Sequence, residues 1–200
     1  MILYGASGHA KVIIEILEHR GQPITGLVDA DPHIKALLGY PVYPSFNDAA
    51  IDVNNQVIIA IGNNAVRKKL TAEITQAFGT AIHPSAILSS RCEVAPGTVV
   101  MAGVVVNSSV RIGSHVILNT NCGIDHDCVI GNYVHISPNA TLAGNVTVGE
   151  GAHIGIGACV IQGIKIGNWA TIGAGAVIIN DVPDGAVVVG NPGRIIKYNK

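Results

Sequence analysis

The chain has 200 residues, and its 12 basic and 13 acidic side chains leave a formal net charge of −1. Without excess positive charge, neither nucleic-acid binding nor attraction to an anionic membrane is expected. Hydrophobic residues make up 48% of the chain, yet no apolar stretch approaches the roughly 18–20 residues of a membrane-spanning helix. Many apolar residues beside few charges predict a homo-oligomer. The chain has no basic leader and its four cysteines form no CxxC pair, so we expect a reduced, cytoplasmic protein.

The first eighty residues are predicted to alternate strands with helices. Residues 2–4 are read as a strand, a glycine-containing loop follows at 5–10, and an amphipathic helix begins after it. Residues 24–28 and 56–61 are read as two further strands, which end at Asp29 and at Gly62-Asn63-Asn64. This order of elements predicts a Rossmann-like βαβ unit over residues 1–80, with ligands at the carboxyl ends of the strands.

The loop at Gly5-x-x-Gly8-x-Ala10 is half of a nucleotide-binding fingerprint. Its glycines would let a phosphate approach the free N–H groups at the start of the helix. A carboxylate at Asp29 suits a ribose hydroxyl or the edge of a uracil ring. The unit is too small for a complete dinucleotide domain, which favours a mononucleotide sugar over NAD. A purely structural turn is the alternative.

From Ile82 onward, every sixth residue is Ile, Leu or Val at 17 successive positions, ending at Ile178. A second column of small or β-branched residues lies four positions later in each unit, from Ala86 to Val182. Six-residue units with two inward side chains predict a parallel β-helix over residues 81–200, in which three units close one coil. Cys122 and Cys128 belong to the second column, so they are predicted to be small core residues.

The closure of a coil by three units predicts which positions stack on one another. The corners of each coil are expected to need positive φ, and the glycines that follow the aliphatic column are assigned to them. These glycines are Gly113, Gly131, Gly149, Gly155, Gly167 and Gly173.

His126 is predicted to point outward between Asp125 and Asp127, and the carboxylates would raise its pKa and make it a better general base. Gly144 occupies the same place in the next coil, so its N–H would lie above the imidazole and face a developing oxyanion. A plain surface histidine is the alternative, and it is weighted more heavily for His135. For His115 and His153 a structural role is favoured. No His-x4-His pair is present, which disfavours zinc, and no metal is expected.

Several segments together resemble a known enzyme family. They are residues 2–9, residues 59–69, Leu118-Asn119-Thr120 with residues 126–131, Ala143-Gly144-Asn145-Val146, and Val189-Gly190-Asn191-Pro192-Gly193-Arg194. They are similar to left-handed β-helix sugar-nucleotide acetyltransferases of the bacillosamine-pathway type, which N-acetylate a UDP-4-amino-4,6-dideoxysugar. The sialic-acid O-acetyltransferases share this layout.

The resemblance implies a homotrimer that uses acetyl-CoA, with His126 as base, Asp127 as its activating carboxylate and Gly144 at the oxyanion. It also implies two binding sets. The acetyl-CoA contacts would be His135, Gly144, Ile156 and Ala174. The nucleotide-sugar contacts would be Ser7, Gly8, His9, Asp29, Ala30, Gly62 and Asn63.

Two other functions stay open at this point. O-acetylation of sialic acid or another sugar could use the same base, and a non-catalytic scaffold could bind a nucleotide sugar without turnover. No outward cysteine or activated serine is placed to form an acyl-enzyme, which favours direct transfer. The exact sugar, its stereochemistry and the pathway are not defined by the sequence.

Overall fold

The computed structural model describes residues 1–48 and 55–199; residues 49–54 and Lys200 lie outside the described part. The amino-terminal unit is built on a five-stranded sheet in the order β3-β4-β2-β1-β5. Its strands are β1 (Ile2–Tyr4), β2 (Gly26–Val28), β3 (Ala36–Leu37), β4 (Tyr40–Tyr43) and β5 (Val57–Ile59). The pairs β1–β2, β1–β5 and β2–β4 are parallel, as the predicted βαβ unit requires. Strands β3 and β4 form an antiparallel hairpin, which was not expected from the sequence.

Two helices follow the carboxyl ends of β1 and β5. Helix α1 (Gly8–His19) buries Ile13, Ile14 and Leu17, and helix α2 (Asn64–Thr71) buries Leu70 and Arg67. Both helices begin directly at the loops that the sequence assigns to ligand binding. Their N-terminal N–H groups therefore open at the same edge of the sheet.

The rest of the chain forms the predicted parallel β-helix, a prism with three faces. The first face contains β6 (Ala81–Ile82), β9 (Val99–Val100), β12 (Ile117–Leu118), β15 (His135–Ile136), β18 (His153–Ile154) and β21 (Thr171–Ile172). The second contains β7 (Ile87–Leu88), β10 (Val105–Val106), β13 (Gly123–Ile124), β16 (Thr141–Leu142), β19 (Cys159–Val160) and β22 (Val177–Ile178). The third contains β8 (Glu93–Val94), β11 (Arg111–Ile112), β14 (Val129–Ile130), β17 (Thr147–Val148) and β20 (Lys165–Ile166). A hairpin of β23 (Ala186–Val189) and β24 (Arg194–Tyr198) extends the first face.

The predicted register, three units to a coil, holds on every face. Ile117 pairs with His135, Val105 with Gly123, and Arg111 with Val129. From Val100 onward, both predicted inward columns form one continuous hydrophobic core, which includes Cys122 and Cys128 with no exposed surface. The hydrophobic column residues of the preceding units are partly buried and pack against this core. The assignment of these two cysteines to the core is therefore confirmed.

The prediction about the corner glycines is wrong. The positive-φ residues of the coil lie two positions further on and include Asp127 (φ 59°), Asn145 (φ 60°) and Gly163 (φ 73°). The six glycines named above instead lie where successive coils approach most closely. A Cβ at Gly131, for example, would lie 2.8 Å from the backbone nitrogen of Glu150. Glycine is needed there because there is no space for a side chain, and not because of φ.

The amino-terminal unit packs against the first face of the prism. Val99, Met101 and Ile117 share one buried cluster with Leu3 and Ile13. The first coil begins with β6 at Ala81, and the division of the chain into domains 1–80 and 81–200 stays a prediction. This packing leaves the edge between the second and third faces on the opposite side of the prism.

Candidate active site

His126 lies at the edge between the second and third faces, in the segment that joins β13 to β14. The imidazole points into solvent, and its Nδ1 lies 2.8 Å from Oδ2 of Asp127. This hydrogen bond, together with the nearby charge of Asp125, raises the pKa of His126. With Nδ1–H donated to the carboxylate, Nε2 carries the lone pair that can accept a proton.

Gly144 lies one coil above His126, as the predicted register requires. A Cβ built at Gly144 would lie 2.6 Å from Cε1 and 2.7 Å from Nε2 of His126, so the ring lies directly against its backbone. Within the described residues, the Gly144 N–H donates no hydrogen bond to the protein. The backbone of Gly144, whose N–H is free, thus lies against the imidazole ring.

Ile156 and Ala174 are exposed and stacked, because Gly175 N–H donates to the Ile156 carbonyl across one coil (2.8 Å). They lie at the edge between the first and second faces, whereas Gly144 lies at the edge between the second and third. A whole face of the prism therefore separates these two sets of predicted acetyl-CoA contacts within one chain.

The predicted nucleotide loop opens at the start of α1. Ser7 and Gly8 are exposed there, and His9 is partly buried with its Nε2 atom enclosed and without a hydrogen-bond partner among the described residues. Burial, and secondarily the charge of Arg67, lowers the pKa of His9 to about 4. His9 is therefore neutral at pH 7, and its enclosed Nε2 stays without a hydrogen-bond partner among the described residues.

Asp29, directly after β2, makes hydrogen bonds that hold the glycine-containing loop after β1 in place. Its Oδ2 accepts a hydrogen bond from Ala6 N–H (2.8 Å), and its Oδ1 accepts one from Asp31 N–H (3.0 Å). Each carboxylate oxygen keeps a further lone pair for a ligand. Ala30 follows it at the exposed rim. Asp29 thus fixes the conformation of the loop through Ala6 N–H, in addition to any contact with a ligand.

Gly62 and Asn63 are exposed at the end of β5, on the same sheet edge as Ser7 and Gly8. The Asn63 side chain caps α2 by accepting a hydrogen bond from Val66 N–H at 3.0 Å. The structure therefore brings together Ser7, Gly8, His9, Asp29, Ala30, Gly62 and Asn63 at one edge of the sheet.

His135 belongs to the first face and lies close to this nucleotide edge. It hydrogen-bonds the Gly62 backbone, and its Nε2 accepts from Asn119 Nδ2 at 3.1 Å. Its ring stacks on His153 at 4.9 Å, and His153 contacts Ser137 Oγ at 2.8 Å. Burial and three neighbouring groups, His153, Arg67 and His9, lower the pKa of His135 to about 3.

Arg67 was not assigned a role from the sequence, yet it joins the two parts of the chain. The side chain is 1% exposed. Its five N–H groups donate to the carbonyls of His115 (2.7 Å), Tyr133 (2.7 Å), Ile61 (3.0 Å) and Gly62 (3.3 Å) and to Oδ1 of Asn64 (3.0 Å). Burial lowers its pKa to about 10, so it stays charged at neutral pH. No sequence signal separates Arg67 from the adjacent surface lysines.

The described residues contain no cluster of three or more His, Cys, Asp or Glu side chains arranged to hold a metal ion. Within the same part of the chain, neither helix has the length and apolar character needed to cross a bilayer.

Two family models match separate parts of the chain. Residues 1–74 match the PglD N-terminal domain, and residues 109–144 match the bacterial transferase hexapeptide family of six repeats. No curated protein matches the sequence.

Three solved structures are similar over nearly the whole chain. A variant of the perosamine N-acetyltransferase from Caulobacter crescentus, solved with CoA and GDP-perosamine, is 38% identical, covers 98% of this chain and 96% of its own, and has a TM-score of 0.91. The acetyltransferase domain of PglB from Neisseria gonorrhoeae, in complex with acetyl coenzyme A, is 36% identical with 98% of both chains covered and a TM-score of 0.91. WeeI from Acinetobacter baumannii is 31% identical, with 98% of both chains covered and a TM-score of 0.90.

The chain therefore belongs to the family of acetyl-CoA-dependent sugar acetyltransferases that join a PglD-type N-terminal domain to a left-handed, hexapeptide-repeat β-helix. The fold class and the family expected from the sequence are confirmed.

Proposed function

We propose that this chain transfers the acetyl group of acetyl-CoA to the 4-amino group of a UDP-linked 4-amino-4,6-dideoxysugar. The observation that carries the proposal is the solvent-facing His126, which is hydrogen-bonded to Asp127 and lies against the backbone of Gly144, whose N–H is free. A base and an oxyanion donor next to each other are what acyl transfer to an amine requires.

The reaction is a direct transfer. The neutral amine attacks the thioester carbonyl carbon and forms the C–N bond, while Nε2 of His126 takes the proton from nitrogen. The Gly144 N–H donates to the oxyanion of the tetrahedral intermediate. When the intermediate collapses, the C–S bond breaks and the proton passes to the thiolate, which leaves the N-acetyl sugar and the CoA thiol. Asp127 acts through the imidazole, which it orients and makes more basic.

The nucleotide sugar binds at the edge formed by Ser7, Gly8, His9, Asp29, Ala30, Gly62 and Asn63. The two helix N-termini at this edge favour a diphosphate. UDP is the carrier that the sequence resemblance favours, whereas the perosamine enzyme was solved with a GDP-linked sugar. Both UDP- and GDP-linked sugars therefore have to be tested as substrates.

The active site is completed by a second subunit of a homotrimer. His126 and Gly144 lie on the edge opposite the amino-terminal unit, so a sugar bound at that unit is not beside the base of its own chain. Ile156 and Ala174 are separated from Gly144 by the second face, so an acetyl-CoA groove lined by all three requires two prisms. The outward residues of this second face include the exposed Val105, which suits a subunit contact.

The test is release of CoA thiol from acetyl-CoA, followed with UDP- and GDP-linked 4-amino sugars and with free sialic acid. Turnover with an amino-sugar nucleotide and not with sialic acid is expected. His126→Ala should lower kcat by about 10²–10⁴-fold and leave both substrates bound. Turnover of sialic acid alone would establish O-acetylation, and nucleotide-sugar binding without thiol release would establish a scaffold. In the cell the enzyme is proposed to work in the cytoplasm, where acetyl-CoA and nucleotide sugars are made.

A further inference from the structure

A groove lies beside His126 on the side away from Gly144. It has a volume of about 430 Å³ and is lined by residues of three successive coils, among them Ile87, Ser89, Asn107, Ser108, Asp125 and His126. Gly144 lies above the imidazole and this groove lies below and beside it. The groove is therefore open to an acceptor when the thioester approaches from the Gly144 side. Its volume falls within the range of small-molecule sites.

Asp125 is the only carboxylate among the residues that line this groove, and the lining contains no Lys or Arg. Two donors hold its Oδ1 atom: the backbone N–H of His126 (2.8 Å) and Nδ2 of Asn107, one coil below (2.8 Å). Its Oδ2 atom has no partner within the described residues. The hydrogen bond from Asn107 and that from His126 lower the pKa of Asp125, which is therefore ionised at neutral pH.

We propose that Asp125, fixed by Asn107, binds the protonated amino group of the acceptor sugar and so selects amines over hydroxyls. This inference rests on the proposed function and adds a specificity-determining residue to it. A 4-amino sugar is largely an ammonium ion at pH 7, and the free Oδ2 atom can accept a charge-assisted hydrogen bond from it. A 4-hydroxy sugar carries no charge and gains little from the same carboxylate. Loss of one proton to water then leaves the neutral amine beside Nε2 of His126.

The remaining charges around His126 lie on the other side of the edge. Asp127 faces a separate groove on the third face, together with Arg91, Glu93 and Arg111. Two positive and two negative side chains there leave no net attraction for a cation. The carboxylate of Asp125 is thus distinguished from that of Asp127 by the absence of basic side chains from the lining of its groove.

The decisive variant is Asp125→Asn. Its amide oxygen can still accept from Asn107 and from the His126 N–H, so the corner is retained while the charge is lost. Binding of a UDP-4-amino-4,6-dideoxysugar and of its 4-hydroxy counterpart is measured by calorimetry, and KM for the amino sugar is measured at saturating acetyl-CoA. Glu93→Gln removes a nearby exposed carboxylate outside this groove and is the matched control.

We expect Asp125→Asn to raise KM and Kd for the amino sugar about three- to tenfold, a modest effect because the charge is exposed to solvent. Binding of the 4-hydroxy sugar should change less than twofold, and Glu93→Gln should change neither. In the wild-type enzyme, raising the salt concentration should weaken binding of the amino sugar more than that of the 4-hydroxy sugar, because both share the diphosphate and only the amino sugar carries the ammonium charge. This measurement needs no variant.

Equal losses for the amino and the hydroxy sugar would assign Asp125 a structural role and overturn the proposal. Unchanged affinities would overturn it as well. A shift confined to the pH profile of kcat would show that Asp125 acts only through His126. If the wild-type enzyme turned over no amino-sugar nucleotide, the proposed function would fail and this inference with it. If the wild-type enzyme turns over the amino sugar and Asp125→Asn keeps the same preference for the amino over the hydroxy sugar, only this inference is overturned.

Discussion

The imidazole of His126 lies against the backbone of Gly144, one coil above it, so closely that a Cβ at position 144 would overlap the ring. Gly144→Ala should therefore displace the imidazole from its place beside the free N–H. We expect kcat to fall about 10²-fold, the order lost when an oxyanion donor is removed, with little change in stability. Steady-state kinetics and thermal unfolding measure the two effects.

Gly123→Ala is the matched control for this experiment. Gly123 lies on the same coil as His126, and a Cβ there would meet only Thr141, at an ordinary 3.7 Å. The control should keep near wild-type kcat. If Gly144→Ala also did so, the close contact between the glycine and the imidazole would have no catalytic consequence.

The second prediction concerns Asp127. Its hydrogen bond is the largest cause of the raised pKa of His126. The imidazole must be neutral to accept a proton, so a raised pKa places the acid limb of the kcat profile at higher pH. Asp127→Asn removes the charge and should move that limb to lower pH, measured as kcat against pH. Asparagine also tolerates the φ of 59° at this position.

Asp127→Asn should cost less than His126→Ala on the high-pH plateau, because a hydrogen bond still orients the ring. The double variant should be little worse than His126→Ala alone, since the carboxylate acts only through the imidazole. Additive losses in the double variant would argue that Asp127 contacts the substrate itself.

The third prediction tests the assignment of the two binding sites. Asp29 fixes the glycine loop through Ala6 N–H and lies at the nucleotide edge. Asp29→Ala should raise KM for the nucleotide sugar and leave KM for acetyl-CoA nearly unchanged. Asp31→Ala, two residues further on at an exposed position, is the control and should affect neither constant. An equal rise in both KM values would contradict the assignment of separate sites.

The fourth prediction concerns Arg67, whose five donors connect the amino-terminal unit to two successive coils. Lysine has fewer donors on a single nitrogen, so Arg67→Lys leaves buried carbonyls without partners. We expect a loss of about 2–5 kcal/mol in the free energy of unfolding, measured by chemical denaturation. Lys69→Met, at a side chain that is 80% exposed, should change it by less than about 0.5 kcal/mol. Similar values for the two variants would show that Arg67 does not hold the units together.

Much of the β-helix follows from the sequence because its rule is local and periodic. Once Ile82 and the residues at every sixth position are recognised, the inward columns, the pairing of each coil with the next and the position of Gly144 above His126 all follow. The same rule does not give φ values. The glycine at position 131 is required by the approach of the next coil, a distance that only the closed prism defines.

The contacts of Arg67 and His135 could not be predicted, because they depend on how the amino-terminal unit packs on the first face. Nothing in the spacing of residues 62–67 shows that the Gly62 backbone meets His135 across the boundary. The hairpin of β3 and β4 was missed for a different reason. Its strands of two and four residues are too short to produce a clear alternation.

The unbroken register restricts how this prism can change in length. A single inserted residue would turn every later inward side chain outward, whereas one complete coil could be added or removed without exposing the core. Neighbouring coils are about 4.8 Å apart. The height of His126 along the prism axis, measured from the amino-terminal unit, can therefore be altered only in steps of that size. The distance between the base and a bound sugar can accordingly change only by whole coils.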